Sequence, residues 1–240
     1  MTTSTIDKTI ASFYTSGHDG SSIADRWNEA LPVGARIVPS VYVPGYREFI
    51  INILTDGGRL PLECAIVSIG SGSGTVEADL LARGYTNLVS LEVFDTFIEH
   101  QRRLGLNAIN LSAFDLSKLG RRFDRVYLDG SLGHLATTYK QPFVGCLKTI
   151  LSVLGANMSA DALVVTSDDP PYRPIDYEVH DLMSHLRLSA LALARELHSA
   201  GFLLQATHAF DYQRPTIGTV RRRIAVARLA ADTVTTPPIL

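Results

Sequence analysis

The 240-residue chain has only two cysteines and a single tryptophan. Cys64 and Cys146 stand apart in apolar sequence, "LECAIV" and "FVGCLK", which excludes a disulfide framework and any metal-ligating cysteine spacing. They read as buried free thiols in a reducing compartment. A basic surplus is also missing, since 22 Lys and Arg stand against 24 Asp and Glu, a net charge of −2. Proteins that neutralise nucleic-acid phosphates need the opposite balance, so no nucleic-acid partner is expected. No apolar run approaches the ~18 residues of a membrane span, and the polar start "MTTSTIDKTIASFYTSGHDG" has no apolar signal core. These absences predict a cytoplasmic protein with no membrane partner. Internal repeats and low-complexity segments are absent too.

The hydrophobic content, 46%, is enough to bury a substantial core. From Ala65 the pattern turns regular. "AIVSIG" reads as a strand ending at Gly70, and "TVEADLLARG" as a helix with Val76, Leu80 and Leu81 on one face and Gly84 as its stop. "NLVSLE" is the second strand, followed by a helix from Asp95 to Leu104. "AINLSAFD" and "FDRVYLDG" are the third and fourth strands. A long helix over "PFVGCLKTILSVLGANM" leads to a fifth strand, "DALVVTSDD", and a helix is expected from about Val179 to Ala200. "FLLQATHAF" and "RRRIAVARL" close the series with no helix between them, so they should pair antiparallel.

The expected fold class is α/β, a Rossmann-like seven-stranded sheet, mostly parallel with an antiparallel last strand and helices on both faces. Residues 1–60 are expected to form a partly helical extension or lid, 61–230 the catalytic domain and 231–240 a tail.

"SIGSGSGTVE" places Gly70, Gly72 and Gly74 between a strand and a helix. Glycine there permits unusual backbone angles and lets a ligand approach the main chain. The next strand ends in Glu92, 18 residues after Gly74. An acid in that place accepts both hydroxyls of an adenosine ribose; the alternative is a surface carboxylate at a positive helix end.

Four segments in this order carry a resemblance to the class I S-adenosylmethionine-dependent methyltransferases: "IVSIGSGSG", "LVSLEVF", "SAFDLSKL" and "FDRVYLDGSLGHL". The resemblance covers Ala65 to about Leu135, and the later strand order fits it. It implies S-adenosylmethionine as cofactor. Ser68, Gly70, Ser71, Gly72 and Gly74 would form its loop, Glu92 would bind the ribose, Val93 would pack on adenine, and Asp115 with Leu116 would hold the adenine edge. The family's usual acid two positions before the first glycine is Ser68 here, which leaves the methionine end to Asp129, Ser131 or the N-terminal extension. In this fold some relatives instead cyclise the cofactor to azetidine-2-carboxylate and methylthioadenosine, and that alternative stays open beside N- or O-methylation of a small metabolite. The small-molecule acceptor is unnamed by the sequence, and a homodimer is left open.

"TSDDPPYRP" contains Asp169-Pro170-Pro171-Tyr172. Asp-Pro-Pro-Tyr is a signature of nucleobase amino-methylating enzymes, but there it follows the fourth strand, and here it follows the fifth. A rigid turn bordering the site is therefore expected. Tyr172 could face a sulfonium, a cation–π contact worth about 1–2 kcal/mol in a dry site. His134, after the fourth strand, is the candidate general base. Tyr42, Tyr46, Asp169 and Tyr177 are candidate substrate-binding residues. The three arginines Arg221 to Arg223 read as solvated charges guarding a sheet edge, with an anion site as the alternative.

Overall fold

The computed structural model describes residues 43–137, 143–171, 174, 176–180, 185–214 and 218–230. One seven-stranded sheet runs through it in the order β3-β2-β1-β4-β5-β9-β8. Its strands are β1 (Ile66–Ile69), β2 (Leu88–Glu92), β3 (Ala108–Asn110), β4 (Phe123–Asp129), β5 (Met158–Asp168), β8 (Phe202–Arg214) and β9 (Gly218–Leu229). β1 pairs parallel with β2 and β4, and β4 parallel with β5. β9 runs antiparallel between β5 and β8, as the helix-free step predicts. The strand order runs outward from β1 in opposite directions, to β2 and β3 on one side and to β4 and β5 on the other, so the carboxyl ends of β1, β2 and β4 open a crevice.

Helices cover both faces. They are α1 (Pro44–Leu54), α2 (Thr75–Ala82), α3 (Asp95–Arg103), α4 (Leu132–Thr137), α5 (Phe143–Ala156) and α6 (Ala190–Ser199). None among the described residues is long and apolar enough to cross a membrane. Period-two alternation sorts the strand side chains into two cores. Val67, Val126, Leu128 and Val164 pack with Leu147, Leu151 and Leu197 of α5 and α6. Ile66, Tyr127, Val165 and Ile224 pack with Tyr46, Ile50 and Leu54 of α1 and Leu80 of α2. The described part of the N-terminal extension therefore lies on the sheet. Cys64 is a half-buried free thiol.

Two expectations need correction. The helix expected from Val179 is instead a two-stranded hairpin, β6 (Tyr177–His180) with β7 (His185–Leu188), and α6 starts only at Ala190. Leu186 and Leu188 enter the core at period two, and the Ser189 hydroxyl accepts from the Ala192 N–H at 3.0 Å, which fixes the later start. The third strand stops at Asn110. Ser112 caps a 3₁₀ helix, Ala113–Leu119, by accepting from the Phe114 N–H, so the segment coils before Asp115.

Candidate functional site

Glu92 ends β2 against the glycine loop, and its carboxylate ties the two together. Oε2 accepts from the Gly72 N–H at 3.0 Å, while Oε1 accepts from the N–H groups of Val93 (2.7 Å) and Phe94 (3.3 Å). Burial pushes its pKa up, and those amide donors oppose the shift. Oε2, with one bond shown, retains a lone pair for a hydroxyl donor. Gly70 has φ +66°, and a Cβ there would lie 2.7 Å from the Ser131 Cβ. Only glycine lets the loop pass this close to the β4 exit. The Ser131 hydroxyl donates to the Ile69 carbonyl at 2.7 Å and pins the two strand ends together.

Ser68 donates its hydroxyl to Glu77, in the first turn of α2. Glu77 is 2% exposed, and burial pushes its pKa up to about 7, with Asp129 and Glu92 adding to the rise against the Ser68 bond. A carboxylate thus stands beside β1 although the chain has serine there. The sequence held a signal for it, since Glu77, Leu80 and Leu81 are spaced i, i+3, i+4 on one helix face.

A second polar cluster spans the ends of β4, β5 and β9. Asp129 Oδ2 accepts from the hydroxyls of Tyr46 (3.0 Å) and Tyr127 (2.9 Å), and Oδ1 accepts from Arg222 Nη2. Arg222 also donates through Nε to Ser167 Oγ (3.0 Å) and through Nη1 to Asp169 Oδ1 (3.1 Å). Burial would lower the Arg222 pKa, but the Asp129 and Asp169 charges outweigh it and hold the group cationic. The edge-guard reading of the three arginines is therefore corrected. β9 is an interior strand, and Arg222 and Arg223 are buried on its opposite faces. Only Arg221 is outward, paired with Asp211 at 2.8 Å.

The remaining predicted residues divide. Val93 is half-buried beside Glu92. Asp115 lies on the 3₁₀ helix, paired with Lys118 at 3.0 Å, and Leu116 is fully buried. His134 is half-buried on α4. Tyr46 is fully buried, edge-on to Phe210 with centroids 5.4 Å apart, and reaches the site through its hydroxyl on Asp129. Asp169 follows β5, as the chain order implies, with its carboxylate bound to Arg222. Tyr177 opens β6. Tyr42 and Tyr172 lie outside the described residues.

Superposition on solved structures settles the architecture. Magnesium protoporphyrin IX methyltransferase from Synechocystis PCC 6803 with bound S-adenosylhomocysteine matches 93% of this chain and 98% of its own, with a TM-score of 0.63 and 16% identity. The fold is that of the S-adenosylmethionine-dependent methyltransferases. A second methyltransferase, the 1,6-didemethyltoxoflavin-N1-methyltransferase of Burkholderia thailandensis, bound to 1,6-didemethyltoxoflavin and S-adenosylhomocysteine, matches 81% of this chain and 91% of its own (TM-score 0.57, 18% identity). In sequence, the chain is 27% identical over 217 residues to a tabtoxin biosynthesis enzyme of Pseudomonas amygdali pv. tabaci, covering 88% of this chain and 82% of that protein. No family model matches. On this methyltransferase fold, the Glu92–glycine loop junction lies at the carboxyl ends of β1 and β2, in the crevice where open α/β sheets bind ligands.

Proposed function

We propose that the protein is an S-adenosylmethionine-dependent methyltransferase acting at nitrogen or oxygen of a small metabolite in a biosynthetic pathway. The observation that carries this is the glycine loop bound through the Gly72 amide to the buried Glu92 carboxylate. The similar proteins act, by their own names, on magnesium protoporphyrin IX, on 1,6-didemethyltoxoflavin and in tabtoxin biosynthesis. The donor set fits the cofactor, since Glu92 Oε2 accepts one bond, from the Gly72 N–H, and keeps a lone pair for a ribose hydroxyl.

When bound, S-adenosylmethionine supplies a methyl group activated by its sulfonium. Glu92 would accept the ribose hydroxyls, Asp115 and the Leu116 amide the adenine edge, with Val93 against the ring. Gly70, Ser71, Gly72 and Gly74 would admit the methionine part, and Glu77 with Ser68 is the carboxylate available to its ammonium. Asp129, held by two tyrosines and Arg222, is too fully bonded to act as a strong base; it orients groups at the β4 exit. Proton removal from an acceptor falls to His134 on α4, with Asp169 after β5 bordering the acceptor. In-line alignment and exclusion of water supply most of the acceleration such a transfer needs.

The test is incubation of purified protein with S-adenosylmethionine alone and with a panel of amine and hydroxyl metabolites, followed by mass spectrometry of the nucleoside. S-adenosylhomocysteine that forms only with an acceptor is the expected result. Methylthioadenosine without any acceptor would overturn methylation in favour of cofactor cyclisation.

A further inference from the structure

Gln101 is a polar side chain on the apolar face of α3, 0% exposed, beside Phe97 and Ile98. Its Nε2 donates to Ser71 Oγ at 2.8 Å and to the Gly72 carbonyl at 2.6 Å. Its main-chain carbonyl accepts from the N–H groups of Leu104 and Leu106, at 3.0 and 3.1 Å, so the helix end holds the residue in place. Its Oε1 is buried with no hydrogen-bond partner among the described residues. Reversing the amide would set that oxygen against the Gly72 carbonyl, so the loop dictates the orientation. The loop is fitted to this side chain. A Cβ at Gly74 would lie 2.8 Å from the Gln101 Cγ and 2.7 Å from the Leu106 Cδ1.

The consequence is chemical as well as steric. Gly72 is held from both sides, its N–H by Glu92 and its carbonyl by Gln101. Ser71 Oγ, having accepted from Gln101, keeps its proton to donate, and within the protein the Leu91 carbonyl lies a distant 3.5 Å away. We infer that Gln101 is the positioning residue of the cofactor loop, fixing the Gly72 peptide and turning the Ser71 hydroxyl into a donor for the bound cofactor. This rests on the cofactor assignment proposed above.

The experiment is calorimetric titration of S-adenosylhomocysteine into wild type, Gln101→Met, Ser71→Ala and the double variant, at a temperature where all are folded. Methionine keeps the volume and removes the donors. Binding to wild type tests the cofactor assignment itself, so its failure is distinguishable from failure of this inference. Gln101→Met is expected to raise Kd about 10-fold and Ser71→Ala about 3-fold, with the double variant close to Gln101→Met alone rather than at the product. A purely structural glutamine would lower Tm and leave Kd of the folded protein unchanged. Affinity within about 2-fold of wild type in Gln101→Met, or full additivity in the double variant, overturns the inference. Should Gln101→Met not fold, Gln101→Leu, which also removes the donors, decides in the same way.

Discussion

Replacing Glu77 with glutamine should remove a pH dependence from the stability of the ligand-free protein. Glu77 is buried next to Ser68, and the ionisable groups that act on it most among the described residues are Asp129 and Tyr127 of β4 and Glu92 of β2, all acidic. Its pKa rises from the ordinary 4.5 to about 7 on folding, chiefly through burial. Between those values the native state holds a proton that the unfolded chain has released, so stability falls as pH rises and levels off above the folded value. From pH 5 to pH 8 the loss spans roughly 2 pH units, at 1.36 kcal/mol per unit about 2.5 kcal/mol. For a chain of this size that is roughly 5–10 °C in Tm. The assay is urea unfolding of wild type and Glu77→Gln at pH 5, 6, 7 and 8. Wild type should lose that stability and the variant should stay nearly level, the two curves diverging toward high pH. Parallel curves would refute the assignment of a buried, uncompensated carboxylate. Cofactor affinity should move the other way, strengthening in wild type as pH rises through about 7, because the ammonium needs the ionised form.

Glu92→Ala should weaken S-adenosylhomocysteine about 10-fold or more, since two ribose hydrogen bonds of roughly 1.5–3 kcal/mol each are lost before water compensates; an unchanged calorimetric affinity in folded protein would remove the central assignment. Arg222→Met should cost about 3–5 kcal/mol in urea unfolding, because Asp129 and Asp169 are left buried without their shared cation. A loss below about 1 kcal/mol would mean water already solvates that cluster. Tyr46→Phe should cost about 1–3 kcal/mol by leaving Asp129 a donor short and Ser167 an acceptor short, and an unchanged midpoint would place that hydroxyl outside the network.

The sheet was legible because its parallel strands are short apolar runs and α2, α3 and α6 stop at Gly84, Gly105 and Gly201, signals that do not depend on distant residues. The hairpin β6–β7 was not, since "EVHDLMSHLRL" satisfies a helical period as well as an alternating one, and only the Ser189 cap and the core contacts of Leu186 and Leu188 decide. Glu92 and the glycines could be found because strand ends and loop spacing locate them along the chain. Glu77 and Gln101 were missed although both fall on apolar helix faces. A polar residue at such a position signals a buried function only once the neighbour that satisfies it is known, and Ser68 and Gly72 become neighbours through the fold. Arg222 was misread for a related reason. β9 reads as an edge when taken in chain order, and becomes interior only because β8, which precedes it, is placed outside it.

That placement of β9 has a bearing on how the protein is made. A ribosome delivers Asp129 and Asp169 long before Arg222, which lies 93 residues beyond the first and 53 beyond the second. Five strands can collapse early, but two acids are then gathered at one end of the sheet with no counter-ion, and a slot is open beside β5. The final hairpin must enter with β9 leading into that slot while β8 takes the rim. Non-local closure of this kind is slow, and the partly built sheet exposes an unpaired edge in the meantime. The same guanidinium that arranges the β4 exit therefore completes that polar cluster only when the last strand is in place.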